Sequence, residues 1–346
     1  MLKKSTLIET HLLQEITAGS LKPGDRIHSR HHLARNFDCS RSTVEQAIRS
    51  LTEAGFVSSS RGSGTFVCAN TAERRIERIF VVGGGTDAGR TLSELLFPKD
   101  ELSLPLTGVD EKESAFQVDR LAAPGSAVIW LMPSEESLSL MAHLERKKIP
   151  QLLVNRQYRK YDCVYTAPEP SIREGLSWLM IEAGRNLAFV SCEPSVDRPY
   201  LANRMLAFFR LALELGAHLK TESTFIHRFD DIPRDVSECT ARLFADPGHP
   251  KGIFIMNEEL ALPFVSCAQS MGLRPVRDFF LLTFDLISGL TGHPGIGMMR
   301  QQYRQLYLEV RRWLTGGFAL GNVPFHVPVK TELICAQTEP SVPSGG

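Results

Sequence analysis

The sequence predicts a small three-helix module closed by a β-hairpin, followed by a larger α/β body built on parallel sheets in two lobes. Three observations carry this. Residues 1–68 combine helical apolar spacing with two short β runs around a glycine-rich turn. From residue 78 onward, continuous apolar runs alternate with amphipathic stretches. The chain has 346 residues, so about 270 remain for that alternation, which is long for a single sheet.

In the first 68 residues, helix one is predicted near 4–18. Ile8, Leu12 and Ile16 share one face at spacing four, and Gly19 lies where a glycine would end the helix. Residues 21–25 (LKPGD) read as a turn. Helix two runs from Ser29, its predicted N-cap, to about Asn36. Helix three starts at Ser40 and ends before Gly55, with Val44, Ala47, Ile48 and Leu51 as its buried stripe. Strands over 56–60 and 65–67 are joined by Arg61-Gly62-Ser63-Gly64. Residues 69–77 (ANTAERRIE) read as a polar linker.

In the body, which is predicted over 78–338, the apolar runs are 79–82, 127–132, 152–155, 187–191, 253–257 and 279–284. Helical stretches lie near 135–148, 171–184, 200–216, 258–271 and 301–315. Strands buried on both faces read as unbroken apolar runs, and their alternation with helices implies parallel sheets. No internal repeat is visible, and the tail 339–346 reads as disordered.

Composition excludes several classes. With 43% hydrophobic and 23% charged residues, the chain is an ordinary globular sequence rather than a disordered one. No run of 18 apolar residues exists and the N-terminus has no secretory pattern, which points to the cytoplasm. Seven cysteines, none in a CxxC, imply reduced thiols without structural zinc. Net charge is zero but unevenly placed: residues 1–68 hold nine Lys/Arg against six Asp/Glu, and 69–346 hold 30 against 33. A basic head on a mildly acidic body suits a nucleic-acid contact at the head, although +3 alone also suits a solvated surface.

Helix three carries a polar face opposite its buried stripe: Arg41, Ser42, Thr43, Glu45, Gln46 and Arg49. A helix after a short helix and a tight turn is the helix-turn-helix plan, in which the second helix enters the major groove. Arg pairs with guanine, Gln with adenine, and Ser or Thr with base or phosphate. Residues 27–34 (IHSRHHLA), 39–44 (CSRSTV), 47–57 (AIRSLTEAGFV) and 61–67 (RGSGTFV) together resemble the winged helix-turn-helix domain of the GntR family, in order and spacing. The resemblance implies DNA contacts by Arg41, Ser42 and Thr43, and by the wing tip at Arg61 and Gly62; Ser29, His31 and Gln46 are further expected contacts. The chain departs from the family pattern at His28 (usually Pro), His31 (usually Arg) and Glu45 (often Arg). His31 is expected to make a pH-sensitive phosphate contact. Glu45 is expected to repel phosphate or to accept from cytosine N4.

The body resembles the LacI-type, periplasmic-binding-protein-like effector domain, over about 120–330. The matching segments are 127–136, 149–156, 176–190, 204–208, 215–216, 252–261 and 280–285; the segment 86–120 is unlike the pattern. The whole arrangement is similar to the arabinose-type repressors within GntR. A two-lobed α/β domain of this kind is expected to bind a small polar ligand, a saccharide above all, beyond the strand ends in a cleft between the two lobes. Polar residues do end most apolar runs: Ser134, Asn155-Arg156, Asn257-Glu258 and Asp285. Ser134, Arg204, Asn257, Phe284 and Asp285 are the expected effector contacts, with Arg204 taken from the family's pattern. Trp130, Phe208 and Phe284 are aromatic candidates for a sugar face. Plainer readings stand beside these: Asn155 and Asn257 as caps, Arg156 in an ion pair and Trp130 in the core.

Catalytic patterns are poor. The loop 83–89 (GGGTDAG) lacks the GK[ST] ending of a phosphate loop, and GxSxG and HExxH are absent. An aminotransferase-like body needs a Schiff-base lysine in a cofactor pocket, and every lysine from 99 onward sits in a polar or terminal context. Cys192 follows a strand and reads as a small buried residue. No cofactor, metal or reaction is expected. The predicted function is that of a dimeric transcriptional regulator, a repressor on the resemblance, that binds operator DNA under control of a sugar-like ligand. An α/β enzyme with an accessory DNA-binding domain and a ligand-free dimeric regulator are the alternatives.

Overall fold

The structure, a computed structural model, describes residues 4–17, 19–53, 55–60, 63–68, 76–83, 104–158, 160–195, 198–315, 319 and 324–336. Two compact units emerge: residues 1–165 with 303–328, and residues 166–302 with 329–346.

The first unit begins with helices α1 (Lys4–Thr17), α2 (Arg30–Asn36) and α3 (Arg41–Glu53), then strands β1 (Val57–Ser60) and β2 (Gly64–Val67). Ile8, Leu12, Leu13, Leu33, Val44, Ala47, Ile48 and Leu51 form one buried cluster, so the helical spacings do place these residues on inward faces. Ser29 caps α2 by accepting from the His32 N–H at 3.2 Å, and Ser40 does the same for the Thr43 N–H at 3.2 Å. β1 and β2 pair antiparallel. Gly64, at the start of β2, has φ +122°, where a side chain would be strained. The wing tip Arg61-Gly62, the linker segment 69–75, the loop beyond Gly83 and the tail lie outside the described residues.

The body elements of this unit are β3 (Arg78–Val82), β4 (Leu106–Val109), α4 (Glu111–Ser114), α5 (Val118–Leu121), β5 (Ser126–Leu131), α6 (Leu138–Arg146), β6 (Gln151–Val154) and β7 (Asp162–Thr166). β3 lies between β4 and β5, and β5, β6 and β7 follow outward, each of these pairs being parallel. β5 and β6 are buried at every residue.

The second unit continues with α7 (Pro168–Ala183), β8 (Asn186–Cys192), α8 (Pro199–Leu215), β9 (His218–His227), α9 (Ile232–Phe244), β10 (Gly252–Ile255), α10 (Glu258–Ser270), β11 (Phe280–Phe284) and β12 (Ile296–Arg300). Its sheet repeats the same plan: β8 lies between β9 and β10, with β11 and β12 beyond, all parallel. Each sheet therefore has the doubly wound order 2-1-3-4-5, with its switch point beside the first strand. The sequence showed no repeat because the topology recurs without the side chains doing so. The chain then returns to the first unit as α11 (Tyr303–Thr315) and enters β13 (His326–Val329) beside β7, before β14 (Glu332–Cys335) pairs antiparallel with β12.

Packing is tight under α7. A Cβ at Gly175 would stand 2.8 Å from both Leu282 Cδ2 and Met299 Sδ, so glycine lets this helix lie directly on β11 and β12. Trp130 is fully buried and donates Nε1–H to Gln151 Oε1 at 3.0 Å, which makes it a core residue. Phe208 is likewise buried, stacked on Phe189 with centroids 4.2 Å apart. Neither presents a face to a ligand.

Candidate functional site

On the head, α3 turns its stripe inward and leaves Arg41, Ser42, Gln46 and Arg49 exposed, with Thr43 half-buried. The Ser40 hydroxyl, at the helix start, lies 2.8 Å from the hydroxyls of both Ser42 and Thr43, which gathers three hydroxyls at one point. His31 is exposed on the first turn of α2. Ser29 spends its side-chain oxygen on the cap, so its role is first to fix the start of α2. Glu45 accepts from Arg30 Nε at 2.7 Å and lies 3.9 Å from Arg41 Nε. Arg30 was not singled out in the sequence, because the pair joins two helices.

On the second unit, the strand ends gather a polar cluster at the carboxyl edge of the sheet. Arg204, in the first turns of α8, is 8% exposed. Its guanidinium carbon lies 3.7 Å from the Phe284 ring centroid and 4.7 Å from that of Tyr200. Its Nη1 is 3.7 Å from Asp285 Oδ2. Asp285 follows β11 with φ +74°, a left-handed conformation costly for a non-glycine residue, and its N–H donates to Met299 O at 3.0 Å. Gln301 donates from Nε2 to Asp285 Oδ1, and Thr166 donates to Gln301 Oε1 at 2.7 Å. Glu258, at the start of α10, joins the same field. Burial first, then the charges of Asp285 and Glu259, push its carboxyl above the ordinary range, while Arg204 opposes them. The result is a guanidinium clamped on an aromatic ring and bordered by two carboxylates, a donor–acceptor mixture that suits hydroxyl groups.

Three expected contacts take a different place. Phe284 is wholly buried, and the cation of Arg204 covers its ring, so it supports the arginine rather than stacking on a ligand. Asn257 is 4% exposed and its Oδ1 accepts from Cys192 N–H at 2.9 Å and from the Ser191 hydroxyl at 3.2 Å. It ties the ends of β8 and β10 together and makes no side-chain cap to α10. Ser134, in the first unit, donates its N–H at 2.8 Å and its hydroxyl at 2.9 Å to Glu111 Oε1, which Ser137 also reaches at 2.5 Å.

Glu258, Tyr200, Gln301 and Glu111 were not predicted as site residues. Glu258 and Tyr200 had a usable signal, since each lies next to or one helical turn from a predicted residue. Gln301 and Glu111 had none, because strand pairing and loop closure bring them in. Cys192 is buried, its thiol pushed up to about 11 by burial and then by Glu259, so it is an inert thiol.

Residues 4–67 match the family model described as bacterial regulatory proteins, gntR family. The chain carries a GntR-type helix-turn-helix domain at its N-terminus. Over 82% of its length it is similar to the arabinose metabolism transcriptional repressors of Halalkalibacterium halodurans (21% identical, 80% of that protein covered) and Geobacillus stearothermophilus (23%, 82% covered). Its fold is similar to a LacI family transcriptional regulator from Bifidobacterium animalis subsp. lactis, with TM-score 0.58 and 20% identity over 76% of this chain and 98% of that one. It is also similar to a transcriptional regulator CelR–cellobiose complex, with TM-score 0.58 and 16% identity over 89% and 98%. The body thus has the fold of LacI-family effector domains, two α/β sheets after a small helix-turn-helix domain.

Proposed function

We propose that this protein is a DNA-binding transcriptional regulator, a repressor, whose operator affinity is set by a small polar ligand of the sugar class. The observation that carries the reading is the exposed face of α3: Arg41, Ser42, Gln46 and Arg49 stand clear on a helix whose opposite face is locked in the core of a GntR-type domain. Arg and Gln there can read guanine and adenine edges, while Thr43 and His31 supply phosphate contacts. Residues 1–68 act as the DNA-binding domain, 69–77 as linker and 78–338 as the effector and dimerisation body. The wing tip Arg61-Gly62 takes the neighbouring groove. The chain acts by binding and not by catalysis, in the cytoplasm at the nucleoid.

The ligand contacts are Arg204 and Asp285 at the carboxyl edge of the second sheet, with Glu258 as a further acceptor and Phe284 behind the arginine. Asn257 and Ser134 hold the edges of this and the first sheet. The sugar assignment draws on the two arabinose-metabolism repressors and the cellobiose complex among the similar proteins. The working unit is a homodimer, since helix-turn-helix proteins read paired half-sites. On α8, Leu206 (71% exposed), Phe209 (36%) and Leu213 (83%) form an outward apolar stripe at spacing i, i+3, i+7 that a second copy would cover.

The test is binding of the full chain to the DNA upstream of its own coding sequence, across salt concentrations, with and without a mixed sugar pool. Specific binding with a steep salt dependence, altered by sugar, is the expected result. Binding no tighter than to a random duplex at every salt concentration overturns the reading.

A further inference from the structure

The head holds a second cluster that DNA reading does not use. His11 and Glu15 lie one helical turn apart on α1, and His28 lies in the extended segment just before the Ser29 cap of α2. His28 Nε2 is 3.1 Å from Glu15 Oε1, and His11 Nε2 is 3.7 Å from Glu15 Oε2. One ligand atom from each residue falls within 4.8 Å of the other two, and all three residues are half-buried. Glu15 Oε2 is shielded from solvent and has no hydrogen-bond partner. Such an atom is costly to leave unsatisfied. The His32 ring sits 5.1 Å from that of His28, with its Nε2 engaged by Asn36 Nδ2 at 2.9 Å.

We propose that His11, Glu15 and His28 bind a divalent d-block cation of the zinc type, which ties α1 to the entry of α2. Two imidazoles and one carboxylate are a nitrogen–oxygen donor set that suits zinc, cobalt, nickel or copper, whereas magnesium and calcium take oxygen ligands. Metal–ligand bonds of about 2.0–2.1 Å place neighbouring donors of a tetrahedral site about 3.3 Å apart. The distances of 3.1 Å, to Oε1, and 3.7 Å, to Oε2, lie on either side of that value, so a cation held by one Glu15 oxygen requires small side-chain rotations to gather all three donors, which lie within 4.8 Å of one another. Bound through Oε2, the cation would give that shielded oxygen the partner it lacks. A fourth position stays open to water, as expected of three half-buried ligands. Sequence spacing did not reveal the set because His28 follows Glu15 by a turn and not by a helical repeat.

The experiment is a titration of the chelator-stripped full chain with Co²⁺, whose visible absorption reports its ligands, followed by competition with Zn²⁺ and with Mg²⁺. A saturable signal at one equivalent, displaced by Zn²⁺ but not by Mg²⁺, is expected. His11→Gln and His28→Gln, each checked for native circular dichroism, should each weaken Co²⁺ binding by at least about tenfold. The absence of a visible band in the wild type overturns the proposal, as does unchanged Co²⁺ affinity in both variants.

Discussion

Arg30 and Glu45 face each other across the two helices of the DNA-reading head, with Arg30 Nε donating to Glu45 Oε1 at 2.7 Å. The acidic residue on α3 is thus held by a cation from α2, with Arg41 Nε 3.9 Å from the same oxygen. Read from sequence alone, Glu45 was expected to repel phosphate or to seek a cytosine donor. The pair shows a third use: it braces α2 against α3 and moderates both charges at the surface proposed to meet DNA.

Glu45→Gln should therefore release Arg30 and Arg41 to phosphate. Affinity for a random duplex should rise, and the slope of log K against log salt should steepen by about one counterion. Fluorescence anisotropy across a salt series measures this; an unchanged slope would show that neither arginine reaches DNA.

Arg204→Ala should abolish ligand-induced stabilisation and lower stability by about 2–3 kcal/mol, since it strips Asp285 of its cation and uncovers Phe284. Arg204→Lys keeps the charge but not the planar stack, and should fall between the two. Urea unfolding with and without sugars separates the stability loss from the binding loss.

Glu258→Gln tests the carboxylate crowding beside Asp285. Because the folded-state pKa of Glu258 is raised, its protonated form favours folding, a contribution present in acid and lost as pH rises through the folded pKa. The variant should therefore melt higher than wild type at pH 7–8, and the difference should fade as pH falls through the carboxylate range. A constant difference across pH would mean that its ionisation is not the cause.

If the proposed homodimer forms through α8, Leu213→Asp combined with Leu206→Asp should give a monomer in light scattering and weaken operator binding. A double variant that stays dimeric moves the interface away from α8.

Native thiol labelling at pH 8 should spare Cys163 and Cys239, pushed up to about 12, and Cys192, pushed up to about 11, all chiefly by burial. All seven cysteines should react after unfolding. Early reaction of Cys192 would reveal an opening at the end of β8.

Much of the fold was legible in the sequence. The six apolar runs correspond to β3, β5, β6, β8, β10 and β11, each with neighbours on both sides within its sheet. Strands covered on both faces have unbroken apolar sequences, so they announce themselves. β9, β13 and β14 were missed: they lie at sheet edges and are largely exposed or half-buried, so their composition resembles loops. β4 and β7 are likewise only partly buried, and β12 is broken by Gly297 and ends in Arg300. Helix α9 was missed because its buried stripe includes Cys239 and Thr240, which dilute the apolar period.

By itself, the sequence determined the helical head, its buried stripe and opposite polar face, the alternation that makes parallel sheets, and the placing of Arg204 near a helix start and Asp285 at a strand end. Those features rest on local periodicity or on motifs whose residues lie close along the chain. Tertiary structure alone decided that Arg30 holds Glu45, that Phe284 backs Arg204, that Asn257 ties two strands, and that His28 meets His11 and Glu15. Each of these joins side chains from different elements. Their meeting depends on strand order and helix packing, which no one-dimensional spacing encodes.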